Sequence, residues 1–197
     1  MARSLLAPFV AAALFLSTSA VLAAGFDTGT DGWITSNGGD QVWKPTGGNG
    51  GGWLQITDVT SDDFLLNAPV AWLGNWSAYA GGTLSFDARN INGDIPDWAP
   101  FGEVTIVGAG GSSVVFDLVA ANNPPADGQW HHYSVALPAA ALLSNVTSLT
   151  IKGEFHAGVT EVVGFDNIQV TAAVPEPTEA ALLLGGLGLL AALRRKR

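Results

Sequence analysis

Asp166 stands in the run Phe165-Asp166-Asn167-Ile168-Gln169-Val170, where strand alternation puts its carboxylate on the same side as Ile168 and Val170. An inward carboxylate at the start of a strand must be paired, hydrogen-bonded or metal-bound, because burying an isolated charge is costly. Two solutions are open. One is a structural Ca2+ held by Asp166 together with oxygens of Phe26-Asp27-Thr28, Asp27 foremost, since hard cations take carboxylate and carbonyl oxygen. The other is a carboxylate that accepts backbone N–H bonds and caps a turn. A different chemistry is offered by Asp97 and Trp98, in the proline-bounded loop Asp94-Ile95-Pro96-Asp97-Trp98-Ala99-Pro100. Sugar rings present apolar C–H faces that stack on indoles, so a loop tryptophan beside acids is where such a ring would be held.

The remaining candidates point to packing. Asp58, Asp62 and Asp63 form an acidic loop whose spacing does not match an EF-hand, so they read as solvated turn residues. His131 and His132 are neighbours on a strand and face opposite sides, and His156 is alone. No Gly-x-Ser-x-Gly occurs, and the acids sit mostly in turns that do not set two carboxylates in opposition. Seven tryptophans are present: Trp33, Trp43, Trp53 and Trp130 read as strand packing, and Trp72, Trp76 and Tyr79 as the buried face of a helical segment over Val70–Ala80.

These residues are positioned by short alternating strands. Trp53–Thr57, Thr83–Asp87, Glu103–Val107, Val114–Leu118, Tyr133–Leu137, Ser148–Glu154 and Phe165–Thr171 each alternate, with Thr150, Lys152 and Glu154 outward. Asn37-Gly38, Asn49-Gly50 and Asn92-Gly93 favour positive φ and tight reversals. Pro138–Leu143 opens with a proline suited to a first helical turn. The class predicted is all-β, a two-sheet β-sandwich.

The order Trp72-Leu73-Gly74-Asn75, Gly81–Arg89, Trp130-His131-His132-Tyr133, Leu149–Gly153 and Phe165-Asp166-Asn167-Ile168 resembles the laminin B domain (domain IV type A) over roughly Gly52–Ala172. The resemblance implies a jelly-roll sandwich akin to carbohydrate-binding modules and generally non-catalytic; such modules commonly carry a structural Ca2+.

The two ends of the chain read differently. Arg3, the apolar Leu5–Leu16 and the exit Val21-Leu22-Ala23 form a signal helix, residues 1–23, cut after Ala23. The tail, 174–197, runs Val174-Pro175-Glu176-Pro177, then apolar Ala180–Leu193, then Arg194-Arg195-Lys196-Arg197. As a helix its fourteen apolar residues extend about 21 Å, short of the roughly 30 Å of hydrocarbon, and the cations sit at the cytoplasmic face. This short C-terminal transmembrane helix resembles the PEP-CTERM sorting tail of Gram-negative bacteria. That resemblance implies cleavage by an exosortase near Pro175-Glu176-Pro177 and an association with exopolysaccharide and biofilm matrix.

Between these ends, residues 24–173 carry fifteen acids against Lys44, Arg89 and Lys152, a formal charge of −12. Such a surface repels phosphate backbones and excludes nucleic acid. Without cysteine the domain must be held by packing, turns or an ion. The expectation is an exported, surface-held module that binds or structures exopolysaccharide without catalysis; the alternative is a secreted polysaccharide hydrolase.

Overall fold

The computed structural model describes residues 21–97, 101–116, 123–158, 160–173, 185, 186 and 194. The signal helix up to residue 20, Trp98 and, apart from three residues, the sorting tail 174–197 therefore lie outside the described residues. Among the described residues no helix is long and apolar enough to cross a membrane.

The described residues form eleven strands: β1 (Val21–Ala24), β2 (Ile34–Ser36), β3 (Gly39–Lys44), β4 (Trp53–Asp58), β5 (Leu65–Asn67), β6 (Thr83–Asn90), β7 (Val104–Val107), β8 (Ser113–Phe116), β9 (His131–Ala136), β10 (Ser148–Lys152) and β11 (Val162–Thr171). They build two sheets, ordered β3-β4-β11-β6-β9 and β2-β5-β10-β7-β8, with β1 added beside β11 in the first. All of their pairings are antiparallel. The predicted two-sheet sandwich is what forms.

Period-two alternation explains the packing. Leu54 and Ile56 of β4, Leu84, Phe86 and Ala88 of β6, Tyr133 and Val135 of β9, and Leu149 and Ile151 of β10 all enter one core. At one end of that core Phe101 stacks on Phe165 at 6.0 Å and meets Phe155 edge-on at 6.1 Å. Elsewhere Trp33 meets Trp72 edge-on at 5.0 Å, and Trp76 meets Tyr79 at 6.1 Å. These aromatic pairs are structural. The helical segment expected over Val70–Ala80 is two single 3-10 turns, Val70–Trp72 and Ser77–Tyr79, that nevertheless bury Trp72, Trp76 and Tyr79.

Two turns depart from the reading of the sequence. Asn37 and Gly38, at φ 59° and 90°, do form a tight turn, but it carries the chain from β2 in one sheet to β3 in the other. In β11 the register shifts between Asp166 and Gln169, and Asn167 takes φ 50°. That β-bulge inserts a residue and breaks the alternation on which the orientation of Asp166 was read. At the other terminus of the domain, β1 pairs Val21 with Thr171 and Ala24 with Ile168. The strand thus includes three residues ahead of the expected cleavage after Ala23.

Candidate functional site

The bulge decides what Asp166 faces. Phe165 and Ile168 both enter the core, so Asp166 points to the outer face of the six-stranded sheet, opposite to the direction alternation predicted. It is nonetheless fully buried, because the glycine loop between β3 and β4 closes over it. Asn49 N–H donates to Asp166 Oδ2 at 2.7 Å, and Asn167 N–H to Oδ1 at 2.7 Å. Only glycine fits here: a Cβ on Gly48 would lie 2.6 Å from Asp166 Oδ2, and one on Gly51 would meet Asp27 Oδ1. Asp27 is exposed at the mouth of this loop, and Asp166 buried beneath it.

Asp87, opposite Asp166 on β6, completes the arrangement. Its Oδ2 accepts the side-chain amides of Asn49 and Asn167, each at 2.9 Å, and its Oδ1 lies 2.8 Å from His132 Nδ1. Asp87 points outward from the core yet is buried under the same loop. Desolvation raises Asp166 above the ordinary carboxylate range, and the charges of Asp87 and Asp27 push the same way, while the two amide bonds oppose them. Hard oxygen donors therefore converge here, and the one basic side chain in the bonds named, His132, goes to Asp87, so Asp166 with Asp27 offers a set that suits Ca2+.

Beside this loop the same sheet face carries a group that sequence reading missed. Arg89 lies with its guanidinium carbon 5.1 Å from the Trp53 ring centre and 4.9 Å from that of Trp130. The two indoles meet edge-on at 5.7 Å. They fit because the residue between them is Gly164, where a Cβ would come within 2.9 Å of Trp130 and 3.0 Å of Trp53. Glycine inside a strand marks such a close approach, and Gly164 was the signal available in the sequence. Trp53 is buried, held by its indole N–H bond to Thr46 O at 2.9 Å. Trp130 and Arg89 are half-buried, and His132 and Gln129 beside them are exposed. A guanidinium gripped by two indoles, open on one side, gives a rigid apolar and hydrogen-bonding surface.

The other sequence candidates are placed elsewhere. Asp97 is exposed and fastens a neighbouring turn, accepting Ala157 N–H at 2.8 Å with His156 Nδ1 at 2.9 Å. Its partner in the expected sugar site, Trp98, lies outside the described residues. His131 pairs with Asp127 at 3.0 Å. Asp58 is not solvated as expected but only 2% exposed, and Glu154 lies past the end of β10 and turns inward at 4%.

No protein-family model matches this chain, and no curated protein matches it. Among solved structures it is similar to the CBM22-1 xylan-binding domain from Paenibacillus barcinonensis Xyn10C, with TM-score 0.55 and 13% identity over 82% of this chain and 100% of that one. It is also similar to the family 11 carbohydrate-binding module of the cellulosomal cellulase Lic26A-Cel5E of Clostridium thermocellum, with TM-score 0.52 and 14% identity over 81% of this chain and 99% of that one. An exo-beta-agarase aligns at TM-score 0.56 and 12% identity, over 81% of this chain and 26% of that one. At these identities the likeness is one of fold.

Proposed function

We propose that this domain is a non-catalytic, jelly-roll-type module that binds polysaccharide on the outer face of its six-stranded sheet. The observation that carries the reading is the stack of Trp53, Arg89 and Trp130 over Gly164, with Trp130 and Arg89 partly open to solvent. The exposed part of the Trp130 indole offers a pyranose its apolar contact, and Arg89 with His132 and Gln129 offers hydroxyl partners. The fold shared with carbohydrate-binding modules agrees with this reading. Asp97 and Trp98 form a second position for the same class of ligand.

A hydrolase is disfavoured on geometry. Its two carboxylates must flank a bound sugar, with at least about 5 Å between them. The three described carboxylates that form one cluster, Asp58, Glu154 and Glu161, are buried and have an oxygen each within 4.8 Å of the others, closer than that separation. In the same reading Asp27 and Asp166 hold a structural Ca2+ beneath the glycine loop. The chain is exported through its signal helix, anchored by its C-terminal helix, and cut by an exosortase to reach the cell surface, where exopolysaccharide is the ligand.

Affinity electrophoresis through gels containing the producer's exopolysaccharide tests the binding, run with Ca2+ and again with EDTA. Retardation is expected, together with no release of reducing ends from the polysaccharide. Migration unchanged by the polysaccharide in both conditions rejects the reading, and release of reducing ends favours the hydrolase. A melting temperature that EDTA leaves unchanged rejects the structural ion.

A further inference from the structure

At the far end of the β4–β11 ladder from Asp166, three more carboxylates meet. Asp58 closes β4 and donates its N–H to Glu161 O at 3.0 Å, Glu161 directly precedes β11, and Glu154 lies two residues beyond β10. They are 2%, 0% and 4% exposed, and one oxygen from each lies within 4.8 Å of the others. Asp58 Oδ1 accepts Thr60 N–H at 3.3 Å, and Glu161 Oε1 accepts the amides of Phe155 and His156 at 3.3 and 3.4 Å. The second oxygens, Asp58 Oδ2 and Glu161 Oε2, are buried and accept no hydrogen bond, and neither does Glu154 Oε2.

No ion pair among the described residues reaches these three. The nearest lysine along the chain, Lys152, goes to Asp63 at 2.9 Å and Glu103 at 3.5 Å. Buried carboxylates without donors or counter-charge are unfavourable by themselves. Burial first, then the neighbouring Glu161 carboxyl, pushes Glu154 up to about 9, so a proton there relieves one charge of the three. That proton is shared with Glu161, and Asp58 Oδ2 is still left without a donor. Two ligands of one ion at a Ca–O distance of about 2.4 Å can be at most about 4.8 Å apart, and no pair of these oxygens exceeds that separation. A cavity of about 200 Å³, lined by Ser61, Asp63, Glu154, Ala157 and Gly158, opens onto Glu154 and admits the waters that complete a hard ion's shell.

We propose that Asp58, Glu154 and Glu161 form a binding site for a hard divalent cation of the Ca2+ class, separate from Asp27 and Asp166. The ion joins β4 and β11 of one sheet to the chain leaving β10 of the other. It closes this end of the sandwich in a protein that has no disulfide.

The test uses the full chain in detergent, stripped with EDTA, with Ca2+ itself as the probe in equilibrium dialysis and in thermal melts. The double variant Glu154→Gln and Glu161→Gln is expected to bind one ion fewer than the unaltered chain and to lose the matching rise in melting temperature. Asp166→Asn is expected to keep the ion at this site, with a Kd at or below about 1 mM, the range of extracellular modules. Equal stoichiometry in the double variant and the unaltered chain overturns the proposal, as does an Asp166→Asn chain that binds no Ca2+ at millimolar concentration. Should the double variant not fold, Asp58→Asn is read in its place, with the same expected loss of one ion.

Discussion

The two ends of the β4–β11 ladder both bury acid, in opposite ways. Around Asp166 and Asp87 the carboxylate oxygens accept bonds from backbone amides of Asn49 and Asn167, from their side chains, and from His132. Around Asp58, Glu154 and Glu161, three buried oxygens accept none. In the first cluster protein donors already meet the carboxylate oxygens, so the Ca2+ proposed at Asp27 and Asp166 would add to a hydrogen-bonded network. The second leaves its charge to be met by a proton or a metal. Burial of an acid is thus a poor guide to a metal site, and the unfilled acceptor is the better one.

The comparison is broken most forcefully by inverting the bulge on which it rests. If β11 turns Phe165 into the core and Asp166 out of it, Phe165→Ala should cost about 3–5 kcal/mol in urea unfolding. A loss below about 1 kcal/mol would mean that the register is wrong. Asp166→Ala, measured in EDTA, should cost less, about 1–3 kcal/mol, since it strips an acceptor from the Asn49 and Asn167 amides.

The other end should respond to pH in a direction of its own. Glu154 titrates near 9 in the folded protein and near 4.5 when unfolded, so folding favours the protonated form. The stabilisation is complete below the unfolded value and is lost as pH rises through the folded one. In EDTA the melting temperature should therefore fall between about pH 5 and 9. Glu154→Gln, which has no proton to lose, should flatten that slope, and Ca2+ should do so as well. A slope that survives the substitution contradicts the assignment. The smallest effect concerns β1. A chain beginning at Ala24 gives up half-buried Leu22 and should lose about 1 kcal/mol relative to one beginning at Val21.

The alternating strands were legible because period two records which side meets the core; Leu54 with Ile56 and Leu149 with Ile151 are examples. Alternation also led to burial of Asp166, but on the wrong face: the glycine loop over the outer side of the sheet buries it, so neither its direction nor the cause of its burial was legible. The bulge depends on Asn167 adopting a left-handed backbone, which the residues Phe165-Asp166-Asn167 do not announce. Asp58 departs from expectation because loop acids are usually solvated, and Glu154 because alternation was carried past Lys152, where β10 ends; tertiary closure brings both strand ends under other segments. Asn37-Gly38 disclosed a turn, but a local signal cannot say that the turn changes sheets. The indole–guanidinium stack joins Trp53, Arg89 and Trp130 from three separate strands or their approaches, so no spacing in the sequence could bring them together.

The most direct test of polysaccharide recognition on the six-stranded sheet is affinity electrophoresis of the Trp130→Ala variant beside the unaltered protein, in gels containing the producer's exopolysaccharide. The account predicts that retardation is lost or falls at least about tenfold in apparent affinity, the worth of one stacked indole, while the melting temperature changes little. Retardation equal to that of the unaltered protein would contradict it and move the search for the ligand to another surface.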